Sequence, residues 1–157
     1  MKTINRLLIF TTIVLLSFSI TSCNSCDNKK TKNRTITLHV NTADITHNNI
    51  STTCNFGKAQ KAGISNEEFT ITADVGDIIT WEGVAIQPSE GEITITRIIY
   101  AGGTKIFVND ELPGKNKVVV GTVKHSTKGK PDFKYKIFFT VNNSNPPYKI
   151  DPKIQVN

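Results

Sequence analysis

The chain has 157 residues, which is enough for one domain of ordinary size and too short for two. Its 19 basic and 13 acidic side chains give a formal charge of +6, and 38% of its residues are apolar. Residues 1–22 hold a large part of those apolar groups, so we expect a thin core in the remaining chain, which is still long enough to fold alone.

The first 22 residues have the pattern of a secretory signal. Lys2 and Arg6 give a positive start, and the 14 residues from Leu7 to Ile20 are apolar except for threonine and serine. That length suits the apolar region of a signal peptide and falls short of the roughly 20 residues that a membrane-spanning helix needs.

A four-residue motif ends this segment. Ile20-Thr21-Ser22-Cys23 resembles the bacterial lipobox, in which an aliphatic residue and two small residues precede a cysteine. The resemblance implies cleavage between Ser22 and Cys23, a diacylglycerol on the Cys23 sulfur, and a fatty acid such as palmitate on the new amino group. The thiol supplies the nucleophile for the thioether, and several acyl chains anchor more firmly than one. A secretory signal without lipid and an uncleaved anchor helix are the alternatives.

The domain organisation follows from this motif: a signal peptide over 1–22, a lipidated cysteine and tether over 23–34, and a β domain over 35–157. The tether is polar and aperiodic, which is typical of a flexible spacer whose bases can lie on anionic headgroups. In the sorting rule for lipoproteins, Asp after the cysteine retains the protein in the inner membrane. Asn24 departs from that rule, so we expect the outer membrane, on either its periplasmic or its cell-surface face.

Two cysteines remain once Cys23 carries lipid. In an oxidising compartment, Cys26 and Cys54 can form a disulfide that joins the tether to the domain. A free Cys54 in the core is the alternative.

Alternation with a period of two dominates from Thr35 onward. The residues expected to face the core are Ile36, Leu38 and Val40; Phe69, Ile71 and Ala73; Ile93 and Ile95; Phe133, Tyr135, Ile137, Phe139 and Val141; and Tyr148, Ile150, Pro152, Ile154 and Val156. No window has a sustained helical period. Seven or eight short strands separated by turn residues predict an all-β fold, an antiparallel β-sandwich.

Two positions make that prediction more specific. Val75-Gly76-Asp77 is expected to form the turn that joins the Phe69 strand to the Ile78 strand. Pro152 cannot donate a ladder hydrogen bond, so its strand should lie at a sheet edge or bulge there.

Two stretches resemble known β-sandwich proteins. Residues 69–81, FTITADVGDIITW, are similar to the strand–Gly-Asp–strand hairpin of cupredoxin-like sandwiches. Residues 148–156, YKIDPKIQV, look like the closing strand of small bacterial lipoproteins with a cupredoxin-like or immunoglobulin-like sandwich. A blue-copper site needs a cysteine thiolate, two histidines and usually a methionine near the C-terminus. No cysteine follows Cys54 and no methionine follows Met1, so the resemblance implies the fold without copper, and we expect no cofactor.

The residue pattern gives little support for a metal site or a catalytic site. His39, His47 and Cys54 lie too far apart for the close pairs of structural zinc sites, so we expect no metal site. Gly-x-Ser-x-Gly and His-Glu-x-x-His are both missing, and the paired acids are expected to face solvent near turns: Glu67-Glu68, Asp74/Asp77 and Asn109-Asp110-Glu111. Trp81, the single tryptophan, is expected in the core, with a ligand platform for sugar rings as the alternative.

The charge is unevenly distributed along the chain. Residues 44–100 carry 3 basic and 8 acidic side chains, whereas residues 101–157 carry 10 basic and 4 acidic ones. We expect these halves to neutralise each other across adjacent strands. A basic patch for nucleic acid is disfavoured, because an exported protein meets little nucleic acid.

The sequence therefore predicts a non-enzymatic lipoprotein outside the cytoplasm. Its partners are the membrane, through lipid on Cys23, and an unidentified envelope or extracellular component bound by loops of a monomeric sandwich. The alternatives are a metal-binding or redox accessory protein and a hydrolase with an unrecognised site.

Overall fold

The computed structural model describes residues 30–88 and 90–157. Ten strands in these ranges follow in chain order: β1 (Asn33–Val40), β2 (Cys54–Asn55), β3 (Thr70–Ala73), β4 (Ile78–Ala85), β5 (Ile93–Gly102), β6 (Glu111–Pro113), β7 (Val119–Thr122), β8 (Phe133–Val141), β9 (Tyr148–Ile150) and β10 (Lys153–Val156). A one-turn helix, α1 (Ile50–Thr53), precedes β2, and a 3₁₀ turn (Gly57–Ala59) follows it. No helix within these ranges is long and apolar enough to cross a membrane.

The strands form two sheets. The first sheet has the order β2-β1-β4-β7, and the second has the order β3-β10-β8-β5-β6, with β9 also paired to β8. The predicted all-β sandwich is confirmed. Its sheets are mixed rather than purely antiparallel, because β1 runs parallel to β4 and β3 runs parallel to β10. Neither parallel pair joins strands that are consecutive in the chain, so the connections are long enough to bring the strands side by side in the same direction.

The core lies between the two sheets and follows the predicted alternation. Each inward residue of β1 and β8 is buried, while its neighbours along the strand are exposed or half-buried. Ile93 and Ile95 of β5 and Ile154 and Val156 of β10 are buried in the same way. Each Å² of apolar surface removed from water contributes about 25 cal/mol to stability, so this interface makes the main stabilising contribution.

Trp81 lies in the centre of the core, as predicted. Only 1% of its surface is exposed, and its Nε1 donates a hydrogen bond to the Tyr135 hydroxyl at 3.2 Å. Phe107 and Tyr135 contact the indole edge-on, each with ring centroids 5.8 Å away. The alternative interpretation of Trp81 as a ligand platform is wrong, because neither ring face is open to solvent.

The turn at Asp74–Asp77 is an arch between the two sheets and not the predicted hairpin. β3 belongs to the second sheet and β4 to the first, so the chain crosses the sandwich between them. Gly76 adopts a φ of 94°, a conformation that glycine tolerates best. The expectation that Asp74 and Asp77 face solvent is also wrong. Both are buried, and Arg34 forms ion pairs with them.

The last predicted strand is broken at Asp151-Pro152 into β9 and β10. The break confirms the predicted irregularity at Pro152. The edge alternative is wrong for β10, which lies between β3 and β8. Both halves still turn apolar residues inward, since Ile150, Pro152 and Ile154 are buried.

Candidate functional site

A concave surface lies where the β9–β10 break meets the loop before β3. Two adjoining cavities of about 370 Å³ and 330 Å³ share Glu67 and Asp151 in their walls. We call them together the Asp151 groove. Its other walls come from α1, β8 and the flanks of the break: Ile50, Ser51, Ser65, Asn66, Glu68, Ala101, Lys134, Tyr135, Lys136, Lys149, Ile150 and Lys153.

Asp151 occupies the break itself, between the buried Ile150 and the buried Pro152. Its Oδ1 atom is buried and accepts no hydrogen bond from any residue that the structure describes. Buried polar atoms in folded proteins are nearly always hydrogen-bonded, because leaving one without a partner costs about 1–3 kcal/mol. Oδ1 is therefore an acceptor without a partner among the described residues, and the half-buried Asp151 side chain lines the groove.

The loop before β3 is held rigidly beside Asp151. Asn66 is buried, and its Nδ2 donates to the Cys54 carbonyl at 2.9 Å. Gln60 donates to Asn66 Oδ1 at 3.1 Å, and the Phe69 amide donates to the Ser65 carbonyl at 3.0 Å. These bonds fix the groove wall before a ligand arrives, which lowers the entropic cost of binding.

The groove carries charges of both signs. Lys153 donates to Glu68 at 2.8 Å, and this hydrogen bond, with the charge of Lys153, lowers the pKa of the Glu68 carboxyl. Lys134, Lys136 and Lys149 line the walls around Glu67 and Asp151. Such a surface suits a ligand that has both donor groups, such as amines or hydroxyls, and an anionic group.

The remaining predicted carboxylate pairs are placed elsewhere. Asp74 and Asp77 are bound by Arg34 at the arch, and Asp110 pairs with Lys105 at 2.8 Å on the exposed loop before β6. The Glu67-Glu68 pair is the one that lines the groove. Across residues 30–88 and 90–157, no three His, Cys, Asp or Glu side chains form a group that could hold a metal ion.

Cys54 is buried at the start of β2 and forms no disulfide with any residue that the structure describes. Burial raises its pKa to about 11, although a hydrogen bond with Thr53 acts in the opposite direction. A thiol in this state is a poor nucleophile at neutral pH. Cys26, the other half of the predicted disulfide, lies outside the described residues, as do the lipobox, the Ser22–Cys23 cleavage site and the lipidation site Cys23.

Sequence reasoning missed Asp151 as a site residue. The alternation placed it on the polar face of the last strand, together with Lys149 and Lys153. The signal that could have found it is its neighbour Pro152, which predicts a bulge. Bulges often redirect a side chain toward a functional site.

No protein-family model matches this chain, and no curated protein is significantly similar to it in sequence.

Proposed function

We propose that the protein is a bacterial lipoprotein, anchored through lipid on Cys23 to the outer membrane, and that its sandwich binds an envelope component in the Asp151 groove without catalysis. The anchor is supported by three successive features of the sequence: a positively charged start, an apolar stretch and a lipobox that ends at Cys23. β1 starts at Asn33, so the domain begins about ten residues after the anchor point. This spacing is typical of a short tether between lipid and domain.

The anchor is tested by growing cells that express the full chain with labelled palmitate. We expect label on the wild type and none on Cys23→Ala, because the thioether and the new amino terminus both depend on that cysteine. Cys26→Ala is the matched control and should keep the wild-type label, since Cys26 lies three residues further on. Equal labelling of wild type and Cys23→Ala would contradict the anchor.

The groove is proposed to bind an amphoteric envelope component, for which soluble peptidoglycan fragments are a suitable probe. Their amines and hydroxyls can donate to the Asp151 carboxylate, and their carboxylates match Lys134, Lys136 and Lys149. Titration calorimetry with wild-type protein measures this binding. No heat of binding at millimolar fragment would overturn this choice of ligand.

Asp151→Asn separates binding from folding. An unsatisfied buried carboxylate costs free energy, and a neutral amide costs less, so the variant should be as stable as the wild type or up to about 1 kcal/mol more stable. Binding of the fragments should fall about tenfold or more, because the charged acceptor is lost. Asp44→Asn, an exposed change outside the groove, is the control for both measurements. A variant that unfolds more easily would assign Asp151 to structure and not to binding.

A hydrolase is the second candidate, since Glu67 and Asp151 are two carboxylates that line one cleft. Glycosidases use such pairs as acid and base or nucleophile. Release of new reducing ends from purified peptidoglycan by the wild type, and not by Glu67→Gln, would favour this alternative over simple binding. The metal-binding alternative is tested by elemental analysis of the purified protein for copper, zinc and calcium.

A further inference from the structure

We propose that the end of the sandwich where the tether joins the domain docks on an anionic bilayer surface. The proposal rests on the lipid anchor at Cys23 and adds an orientation and a lipid class to it. We call this surface the tether end. It consists of three segments: residues 30–34, the Asp74–Asp77 arch and the loop 124–131.

Hydrogen bonds hold these three segments together. The Lys32 amide donates to Asp77 Oδ1 at 3.0 Å, and the Lys32 carbonyl accepts from the Ile78 amide at 2.9 Å. The Gly76 amide donates to the Val123 carbonyl, and the Val123 amide donates to the Asp77 carbonyl, each at 2.9 Å. The start of the domain, the arch and the start of the 124–131 loop therefore form one continuous surface.

The loop 124–131 is itself fixed in one conformation. Thr127 is buried, and its Oγ1 accepts a hydrogen bond from the Val156 amide at 2.8 Å. The Thr127 amide and the Ser126 hydroxyl both donate to the Val156 carbonyl, and the Lys130 amide closes the turn onto the Thr127 carbonyl. The lysines of this loop are thus presented by a rigid support and lose little backbone freedom on binding.

The tether end is strongly basic. Its exposed cations are Lys30, Lys32, Lys124, Lys128 and Lys130. The acids of the arch offset them only in part, because Arg34 neutralises one of the two buried carboxylates, Asp74 and Asp77, and one negative charge remains. Asp132, next to the loop, is half-buried. Val75 at the tip of the arch is 44% exposed, and so provides an apolar contact beside the lysines.

The length of the tether decides what this surface meets. Cys23 and Lys30 are seven residues apart, and seven residues span at most about 25 Å when fully extended. A lipid on Cys23 therefore keeps the tether end near the headgroups, where each lysine is attracted to anionic lipid within a Debye length of about 10 Å. Charge, rigidity and tether length together favour an anionic bilayer as the occupant.

The test uses the full mature protein, purified with its lipid and inserted into vesicles of phosphatidylcholine alone or with phosphatidylglycerol. An amine-reactive reagent labels exposed lysines, and mass spectrometry of peptides reads both the label and the acyl mass on Cys23. We expect labelling of Lys124, Lys128 and Lys130 to fall about threefold on the anionic vesicles relative to the neutral ones, and to recover at 1 M salt, where the Debye length is about 3 Å. Lys115 and Lys117 serve as internal controls and should not change. They lie beside the start of β5, where the Ile95 amide donates to the Lys117 carbonyl, and outside the three segments of the tether end.

Each outcome separates the docking surface from the anchor. Acyl mass on Cys23 with equal lysine labelling on both vesicles overturns the docking surface and leaves the anchor intact. Absence of acyl mass overturns the anchor. In that case the same protein is sedimented with the two kinds of vesicle, where salt-sensitive binding to phosphatidylglycerol supports the surface and no binding overturns it. If labelling of these lysines is low on both vesicles and does not change with salt, something other than anionic lipid covers them, which also overturns the proposal.

Discussion

Replacing Asp77 with alanine is expected to lower the free energy of unfolding by about 3 kcal/mol, because it removes a buried acceptor of three hydrogen bonds and leaves Arg34 with only its longer ion pair to Asp74, at 3.6 Å. Asp77 is 1% exposed. It accepts hydrogen bonds from the Lys32 amide, the Arg34 Nε and the Asp74 amide. The change therefore frees the start of β1 and the arch together. Urea denaturation followed by far-UV circular dichroism measures the effect.

Asp110→Ala is the matched control. Asp110 pairs with Lys105 at 2.8 Å, but both side chains are more than half exposed. An exposed ion pair contributes between zero and about 1 kcal/mol, so this variant should unfold close to the wild type. Equal losses of unfolding free energy in the two variants would contradict the claim that the buried contacts of Asp77 stabilise the fold more than an exposed ion pair does.

The same carboxyl predicts how stability depends on pH. Burial opposes ionisation of Asp77, but the hydrogen bonds from Arg34, Asp74 and Lys32 and the Arg34 charge outweigh it, so its folded pKa lies below the ordinary 3.8. A lowered folded pKa contributes stability that is present above the unfolded pKa and is lost as pH falls through the folded pKa. Wild-type stability should therefore drop below about pH 4, and Asp77→Asn should have a flatter profile there.

Trp81→Ala is expected to cost about 4 kcal/mol, the second large loss, because it opens a cavity in the centre of the sandwich. It also leaves the Tyr135 hydroxyl without the indole donor. Burial has already raised the pKa of Tyr135, so that hydroxyl stays protonated and unpaired in the variant. The loss is a large part of the 5–15 kcal/mol that stabilises a typical domain.

Circular dichroism in urea measures this variant beside Val108→Ala, whose side chain is 75% exposed in the wild type. The control should lie within about 0.5 kcal/mol of the wild type. Because Trp81 is the single tryptophan, its fluorescence also reports on its position. Emission that acrylamide quenches freely in the native protein would contradict a core position.

Local pattern predicts the inward faces of the strands well. In β1 and β8 each residue predicted to be inward is buried, because burial on one face of a strand requires a period of two. The alternating pattern does not predict which strands pair with each other. The 69–81 stretch looks like a hairpin, but Ala73 pairs with Val156 and Ile78 with Asn33, so its two halves belong to different sheets. A turn residue such as Gly76 suits a hairpin and an arch equally well.

The groove was less predictable than the fold for a related reason. Glu67 and Asp151 are far apart in the chain, and only the pairing of β10 with β3 brings their segments together. Pro152 indicates a bulge but not what the bulge faces. Likewise, the basic residues after position 101 neutralise the acidic half only in part, through the ion pairs of Lys117 with Glu92 and of Lys153 with Glu68. Lys124, Lys128 and Lys130 instead gather on the loop beside the start of the domain.

Arg34, Asp74 and Asp77 hold the first strand at one end of the sandwich. The lipid that we propose on Cys23 would therefore turn that end toward the bilayer. The Asp151 groove lies on the flank of the second sheet, where α1 and the β9–β10 break meet. A domain held in this way can present that groove to soluble or wall-bound material.

The central claim is that Cys23 becomes a lipidated amino terminus. Mass spectrometry of the amino-terminal peptide of the protein, purified from cell membranes in detergent, tests it most directly. We predict a peptide that begins at Cys23 and carries the added mass of a diacylglycerol and an amide-linked acyl chain. A peptide that begins at Met1, or one that begins at or near Cys23 without added mass, would contradict the claim.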